Sequence, residues 1–191
     1  MDDAQSRRAD DAPIHTSKHQ DASSILATDH GSDVIGRTVT IARPRDELYA
    51  YWRDFSNLPH FMDNVVRVDL LDERRSHWVV KAPGGTVEWD SEIVDEQDGA
   101  YIEWTSVAGA DVPNSGRIEF RDAPGGRGTF VTAIISYDPP AGMIGKLIAK
   151  MFQREPAIQA RRDLRRFKQL METGEIATAA RNRREYEEET A

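Results

Sequence analysis

Apolar residues alternate with polar ones over 34–42 and through most of 65–137, then switch to helical spacing. Val39 and Ile41 alternate with Thr38 and Thr40, so 34–42 reads as a strand. Arg43-Pro44 ends it. Pro44-Arg45-Asp46-Glu47 opens a helix, with proline and acids in the first turn where the helix dipole favours them. Leu48, Tyr51, Trp52 and Phe55 then form one apolar stripe at three- and four-residue spacing. Asp54 to Asn57 reads as a break. Leu58-Pro59-His60-Phe61-Met62 follows as a short second helix packed by Leu58, Phe61 and Met62.

Six further strands are predicted, over 65–71, 76–82, 86–96, 100–107, 115–121 and 128–137. Turn residues close them, including Pro83-Gly84-Gly85, Asp98-Gly99 and Pro124-Gly125-Gly126. Short strands at this spacing form an antiparallel meander. Beyond 140 the period becomes helical. Met143, Ile144, Leu147, Ile148, Met151 and Phe152 make one stripe, and Ala157, Ala160, Leu164, Phe167 and Met171 continue it. Pro156 falls in the first turn of the continuing helix, and Gly174 is its stop.

The order is strand, two short helices, six strands, long helix. A seven-stranded sheet with one apolar face needs a cover, and only the C-terminal helix is long enough to supply it. The fold class is α+β. A curved antiparallel sheet wraps around a long C-terminal helix, the helix-grip architecture, with two short helices after strand 1.

Charge divides the 191 residues into three parts. Residues 1–33 carry seven acids against three bases and few apolar side chains, too little to offset the cost of ordering a backbone. They read as a disordered acidic segment, not as a signal peptide. Residues 177–191 read as a charged tail. The intervening domain, 34–176, has a net charge of only −3 of the total −8. There is no cysteine, which excludes disulfides, thiolate metal sites and a cysteine nucleophile. No metal-ligating spacing and no phosphate loop is present, so neither metal nor cofactor is expected. The acidic balance argues against nucleic acid. With no membrane-spanning run, the expected compartment is the cytoplasm, with peripheral contact at the inner membrane face as an option.

Trp78, Trp89 and Trp104 fall on three successive strands, and Trp52 on the first helix. By strand parity Trp78 shares a face with Val80, Trp89 with Ser91 and Ile93, and Trp104 with Ile102 and Ser106. Core filling is the plain reading of large rings, but small polar neighbours also suit a cavity wall, where an indole offers apolar area and one N–H donor. The expected lining is Trp52, Phe55, Phe61, Met62, Trp78, Trp89, Trp104, Phe120, Leu147, Met151 and Phe167.

Glu88, Asp90 and Glu92 take the opposite parity, the solvent face of a half-buried strand. A bulge that inverted the parity would turn them inward as acid–base groups, with Lys81, Arg117 and Arg121 in reach. The weak acid–base candidates are therefore Asp90, Glu92, Asp63 and His60. His60 and His77 stand without a neighbouring ligand or carboxylate in the sequence. Arg161, Arg162, Arg165, Arg166 and Lys168 form a basic run on the last helix. A solvated helix face is its plain reading. Together with Lys146 and Lys150 it also suits contact with anionic lipid headgroups.

Residues 44–62 (PRDELYAYWRDFSNLPHFM), 76–92 (SHWVVKAPGGTVEWDSE), 116–142 (GRIEFRDAPGGRGTFVTAIISYDPPAG) and 163–176 (DLRRFKQLMETGEI) resemble the SRPBCC superfamily, the START/Bet v 1-like group. The branch they resemble is the bacterial polyketide cyclase/dehydrase type, similar to coenzyme-Q-binding START-domain proteins. The resemblance covers 34–176 in order and implies a helix-grip fold with a ligand cavity. It carries no universal catalytic motif. The function expected is binding, transport or sequestration of an apolar small molecule such as a lipid, quinone or polyketide. The alternatives are a cofactor-free cyclase, aromatase or dehydratase on the same cavity, and a non-catalytic regulatory or protein-interaction module.

Overall fold

The structure, a computed structural model, describes residues 33–82, 84–137 and 156–177. The elements are β1 (Asp33–Ile41), α1 (Arg45–Arg53), a 3-10 helix (Phe55–His60), β2 (Val65–Leu70), β3 (Arg75–Ala82), β4 (Gly85–Gln97), β5 (Tyr101–Ser106), β6 (Asn114–Asp122), β7 (Thr129–Tyr137) and α2 (Pro156–Thr173). The predicted stripe over 143–152, with Leu147, Met151, Lys146 and Lys150, lies outside the described residues, as do the two charged ends.

All seven strands form one antiparallel curled sheet in the order β1-β7-β6-β5-β4-β3-β2. Strands β2 to β7 are the expected meander, and β1 closes onto β7 over nine residue pairs. Helix α2 lies along β1 at the concave side, and α1 leans on β6. This is the helix-grip arrangement.

The short helices depart from the sequence reading in two ways. The second is a 3-10 helix that starts at Phe55, because Asp54 caps it: its carboxylate accepts from the Ser56 N–H at 3.1 Å. What reads as a break is a helix start. On α1 the buried face is Leu48, Tyr49 and Trp52, while Tyr51 is only half-buried. The stripe is rotated toward Tyr49, which meets Phe120 edge-on at 5.8 Å.

The end of α2 is fastened to the corner after β1. Gly174 takes φ +77°, and its N–H reaches the Leu170 carbonyl at 2.8 Å, the predicted stop. Arg43 donates from Nε to the Met171 carbonyl at 2.7 Å, and the Ala42 N–H donates to Glu172 Oε1 at 2.6 Å. A cation on otherwise orphaned helix-end carbonyls complements the helix dipole.

The concave face is built in cross-strand rows. One row is Trp78 beside Trp89; a second is Ile93, Trp104 and Gly116; a third is Ile102, Ile118 and Ala133; a fourth is Phe120, Val131 and Val39. Gly116 is there for space. A Cβ at this position would run into the indole of Trp104, which lies flat across it. Gly116→Ala is therefore expected to destabilise by ~1–3 kcal/mol, the usual cost of overpacking a core. Thermal unfolding checks this, and an unchanged melting temperature would show that Trp104 is free to move aside.

Candidate functional site

The rings predicted as lining converge on the concave side, supplied by four different parts of the chain. Trp52 of α1, Phe61 after the 3-10 helix and Phe167 of α2 form a mutual cluster, with ring centroids 4.8–5.1 Å apart. Phe55 meets Trp78 at 5.7 Å and Trp104 at 6.3 Å. Trp78 and Trp89, directly opposite each other on β3 and β4, stack at 6.1 Å with planes 8° apart. Met62 packs against the same cluster. Phe120 joins it through Trp52 at 6.4 Å.

Beside the tryptophans runs a row of small polar residues. Ser76, Ser91 and Ser106 sit in register on the inner faces of β3, β4 and β5. Ser76 and Ser91 are fully enclosed, at 2% and 1% exposure. The two outer hydroxyls have partners. Ser76 Oγ accepts from Trp78 Nε1 at 2.9 Å, and Ser106 Oγ accepts from the Asn114 N–H at 3.0 Å. Among the described residues the central one does not. Ser91 Oγ and Trp89 Nε1, two positions apart on one face of β4, are both buried without a hydrogen-bond partner there. A buried polar group left unsatisfied costs ~1–3 kcal/mol.

The acid–base candidates scatter. Glu88, Asp90 and Glu92 are exposed on the outer face, as parity requires. Asp90 and Glu92 thus drop out as acids for an interior ligand. The bulge comes later, between Ile93 and Asp95. Its Ile93 carbonyl is bound by the Arg74 guanidinium at 2.9 Å. The shift puts Glu96 in line with Ile102 on the inner side, where it accepts from Arg53 Nε at 2.6 Å and Tyr49 Oη at 3.3 Å. Burial first, then the Glu96 carboxylate, push the Tyr49 hydroxyl up to about 12. The nearby surface depression of about 450 Å³, lined by Tyr49, Arg53, Asp46 and Asp98 among others, is wide open to solvent and contains none of the predicted lining.

Lys81 and Arg117 do not serve the outer acids. Lys81 donates to the Asp63 carbonyl at 2.8 Å, and Arg117 bridges Glu103 and Glu119, each at 2.9 Å. The partner of Glu88 and Asp90 is His77, which the sequence leaves isolated. The β3–β4 register sets it against Asp90, with Nδ1 at 2.7 Å, and Glu88 lies 3.4 Å from Nε2. The hydrogen bond to Asp90 leads in raising the His77 pKa above 6.5, against some desolvation. His60 is exposed, with Nδ1 3.2 Å from Tyr51 Oη.

Sequence reasoning missed Asp163. It lies one turn before Phe167 on the inward side of α2 and accepts from Gln159 Nε2 at 2.8 Å. Burial first, with the Asp63 charge adding to it, pushes its carboxyl up to about 7, against the Gln159 hydrogen bond and the charges of Arg166 and Arg162. Asp63 itself is bound by Arg166 Nη1 at 2.8 Å. The basic run therefore divides: Arg162 and Arg165 are exposed, whereas Arg161 and Arg166 are half-buried and each hides its Nε. An acid on a helix face normally reads as solvated, and only packing against the chain near Asp63 reveals this one.

The class is that of a helix-grip protein with an aromatic concave wall. The chain belongs to the polyketide cyclase/dehydrase and lipid transport family, whose model matches residues 41–165. It is similar to the crystal structure of DR_A0006 from Deinococcus radiodurans, at 41% identity and a TM-score of 0.62 over 75% of this chain and 100% of that one. It shares its fold with the ZhuI aromatase/cyclase of a Streptomyces species, at 14% identity and a TM-score of 0.60 over 77% of this chain and 100% of that one. An uncharacterised 17.2 kDa protein of Streptomyces lincolnensis is 28% identical over 75 residues, which are 39% of this chain and 50% of that protein. The matched stretch spans half the length of that relative. No helix among the described residues is long and apolar enough to cross a membrane.

Two pH dependences follow. Asp163 binds its proton more tightly folded than unfolded, so wild-type stability falls as pH rises from about 4 to about 7. Asp163→Asn removes that loss and is expected to be the more stable protein at pH 8, by ~4 kcal/mol at most. Denaturant titrations of both proteins at pH 5 and pH 8 read the difference, and equal pH slopes would refute a buried Asp163. His77 has the same pH sign, in a higher pH window, but here it is the charged form that the fold favours. Its raised pKa gives stability that is complete below 6.5 and lost as pH rises through the folded value. The deficit of His77→Gln relative to wild type should be larger at pH 5.5 than at pH 9, measured the same way.

Proposed function

We propose that the protein binds an apolar small molecule between the concave face of the sheet and α2. Support comes from the family and above all from one observation. Three tryptophans on neighbouring strands stand beside an in-register row of three serines. A core built only for packing fills such a row with aliphatic side chains, because buried hydroxyls add no apolar contact and need partners. Ligand pockets combine aromatic walls with a few placed polar groups. Burial of apolar ligand surface supplies the affinity, ~25 cal/mol per Å² before ordering costs. Lipids, quinones and polyketides share that chemistry.

The second reading, a cyclase or dehydratase on the same interior, draws on Asp163. A carboxylic acid that titrates near 7 is suited to proton transfer at neutral pH. Binding is common to both readings and is tested first.

The neutral fluorophore 1-aminoanthracene should show saturable, one-to-one enhancement with the full chain. Ser91→Phe, which fills the wall, should weaken it at least about tenfold while the circular dichroism spectrum is retained. Enhancement that never saturates, or that Ser91→Phe leaves unchanged, would count against an interior site.

A further inference from the structure

We propose that the free edge of β2 pairs, antiparallel and about a two-fold axis at Val68, with the same edge of a second copy of this chain. Strands β1 and β2 are the two edges of the sheet. Helix α2 lies along β1. At β2 the chain instead leaves apolar surface in water. Five large apolar side chains are exposed among the described residues, and three of them, Val66, Leu70 and Leu71, cluster here at 45%, 52% and 51% exposure. The Leu71 N–H donates to the Arg75 carbonyl at 2.9 Å, toward β3. Backbone direction alternates along a paired strand, so Arg67 and Asp69 also face β3, while Val68 and Leu70 turn their N–H and C=O groups to the free side. Among the described residues no backbone group pairs with them there. Leu70 also walls the open depression beside α1, so space remains next to the strand. An unpaired edge of this kind is a template for another strand.

The strand that fits is β2 itself. Val66-Arg67-Val68-Asp69-Leu70 reads apolar, cation, apolar, anion, apolar, and it is complementary to its own reverse. With the axis at Val68, Arg67 falls opposite the partner's Asp69, and Asp69 opposite the partner's Arg67. Leu70 falls opposite the partner's Val66, and the two Val68 residues exchange N–H to C=O bonds. Arg67 and Asp69 share one face of the strand: within one chain Nε lies 2.8 Å from Oδ2, and both side chains are more than half exposed. The Val68 side chain belongs to the core and stays there. The register shift between Val65 and Arg67 bounds the pairing to these five residues. Moving the axis to Arg67 or to Asp69 sets like charges against each other, as does parallel pairing in register. The Val68 axis gives two opposite-charge pairs instead. Such an interface is isologous and closes at two copies. Its short length makes the dimer weak and reversible.

Sedimentation equilibrium of the full chain, from micromolar to millimolar concentration, reads the assembly. The wild-type mass should rise with concentration from one chain toward two. Arg67→Asp and Asp69→Arg each turn both ion pairs into repulsions, and each should weaken association at least about tenfold. Both side chains are exposed, so the circular dichroism spectrum should stay that of the wild type. Mixed one to one, the two variants should associate with each other, because every like-charge pair then becomes an opposite one. The double variant Arg67→Asp/Asp69→Arg, which exchanges the charges, should dimerise as the wild type does. A wild-type mass that stays at one chain at every concentration overturns the proposal. A dimer that either single variant leaves intact overturns it too, since the contact then lies elsewhere. Failure of the mixed variants to associate overturns the Val68 register and the proposal with it.

Discussion

A seven-stranded sheet that curls this strongly has a concave face that no single helix can cover, and the rest of the architecture answers that constraint. Helix α2 runs along β1, at one side of the sheet. The opposite side is closed by α1 and the 3-10 helix. The two covers meet through Trp52, Phe61 and Phe167. Phe61 and Phe167 are completely enclosed. Each such ring contributes ~1.5–3 kcal/mol by leaving water. Because three separate elements supply the cluster, loss of any one ring loosens both covers at once. The fastening of α2 by Arg43 and Ala42 works alongside it, since it fixes the helix end at the corner where α1 begins.

Within that frame the inner face changes character along β4. Ile93, next to the bulge, is ordinary core, enclosed with Ile102 and Ile118. Two residues earlier Ser91 is just as enclosed but lacks a partner among the described residues, and Trp89 beyond it is only partly buried and hides an N–H unsatisfied by them. One strand thus passes from apolar packing to a polar-edged aromatic surface within five residues. Natural cores seldom leave such groups unsatisfied. Apolar packing explains the Ile93 end and fails to explain the Ser91 end.

Strand parity, the meander, the long C-terminal helix and the Gly174 stop were all legible in the chain, because period and turn chemistry are local. So was the convergence of Trp78, Trp89 and Trp104, since in-register neighbours follow once the parity of each strand is known. What was not legible depends on register and depth. His77 and Asp90 are thirteen residues apart and meet only because β3 and β4 pair as they do. Glu96 turns inward only because of a bulge, and nothing in Ile93-Val94-Asp95 marks one. Asp163 looks like any solvated helix acid until its burial beside Asp63 is seen. The start of the 3-10 helix was missed for a different reason: Asp54 was visible, but its role as a cap depends on the conformation the chain takes there.

The basic run shows how such misreadings change chemistry. Read as a stripe, Arg161, Arg162, Arg165 and Arg166 offer four cations to a surface. On the helix they fall at about 0°, 100°, 40° and 140°, so Arg162 and Arg165 take the middle of the exposed face and Arg161 and Arg166 its two half-buried edges. Arg166 is committed to Asp63, and its charge bears on Asp163 as well. Its attraction there is outweighed by burial and by Asp63, so Asp163 retains its proton to near neutrality. If Arg166 neutralised Asp63 completely, Asp163 would be left with burial alone opposing its charge. If Arg166 were absent, two carboxyl groups would face each other with only Gln159 and Arg162 to moderate them. The arginine therefore sets how far the pair rises, and it holds the segment after Phe61 against α2 while doing so. A residue that looks like a membrane contact in the sequence is, in the fold, part of the electrostatics around an inward-facing acid.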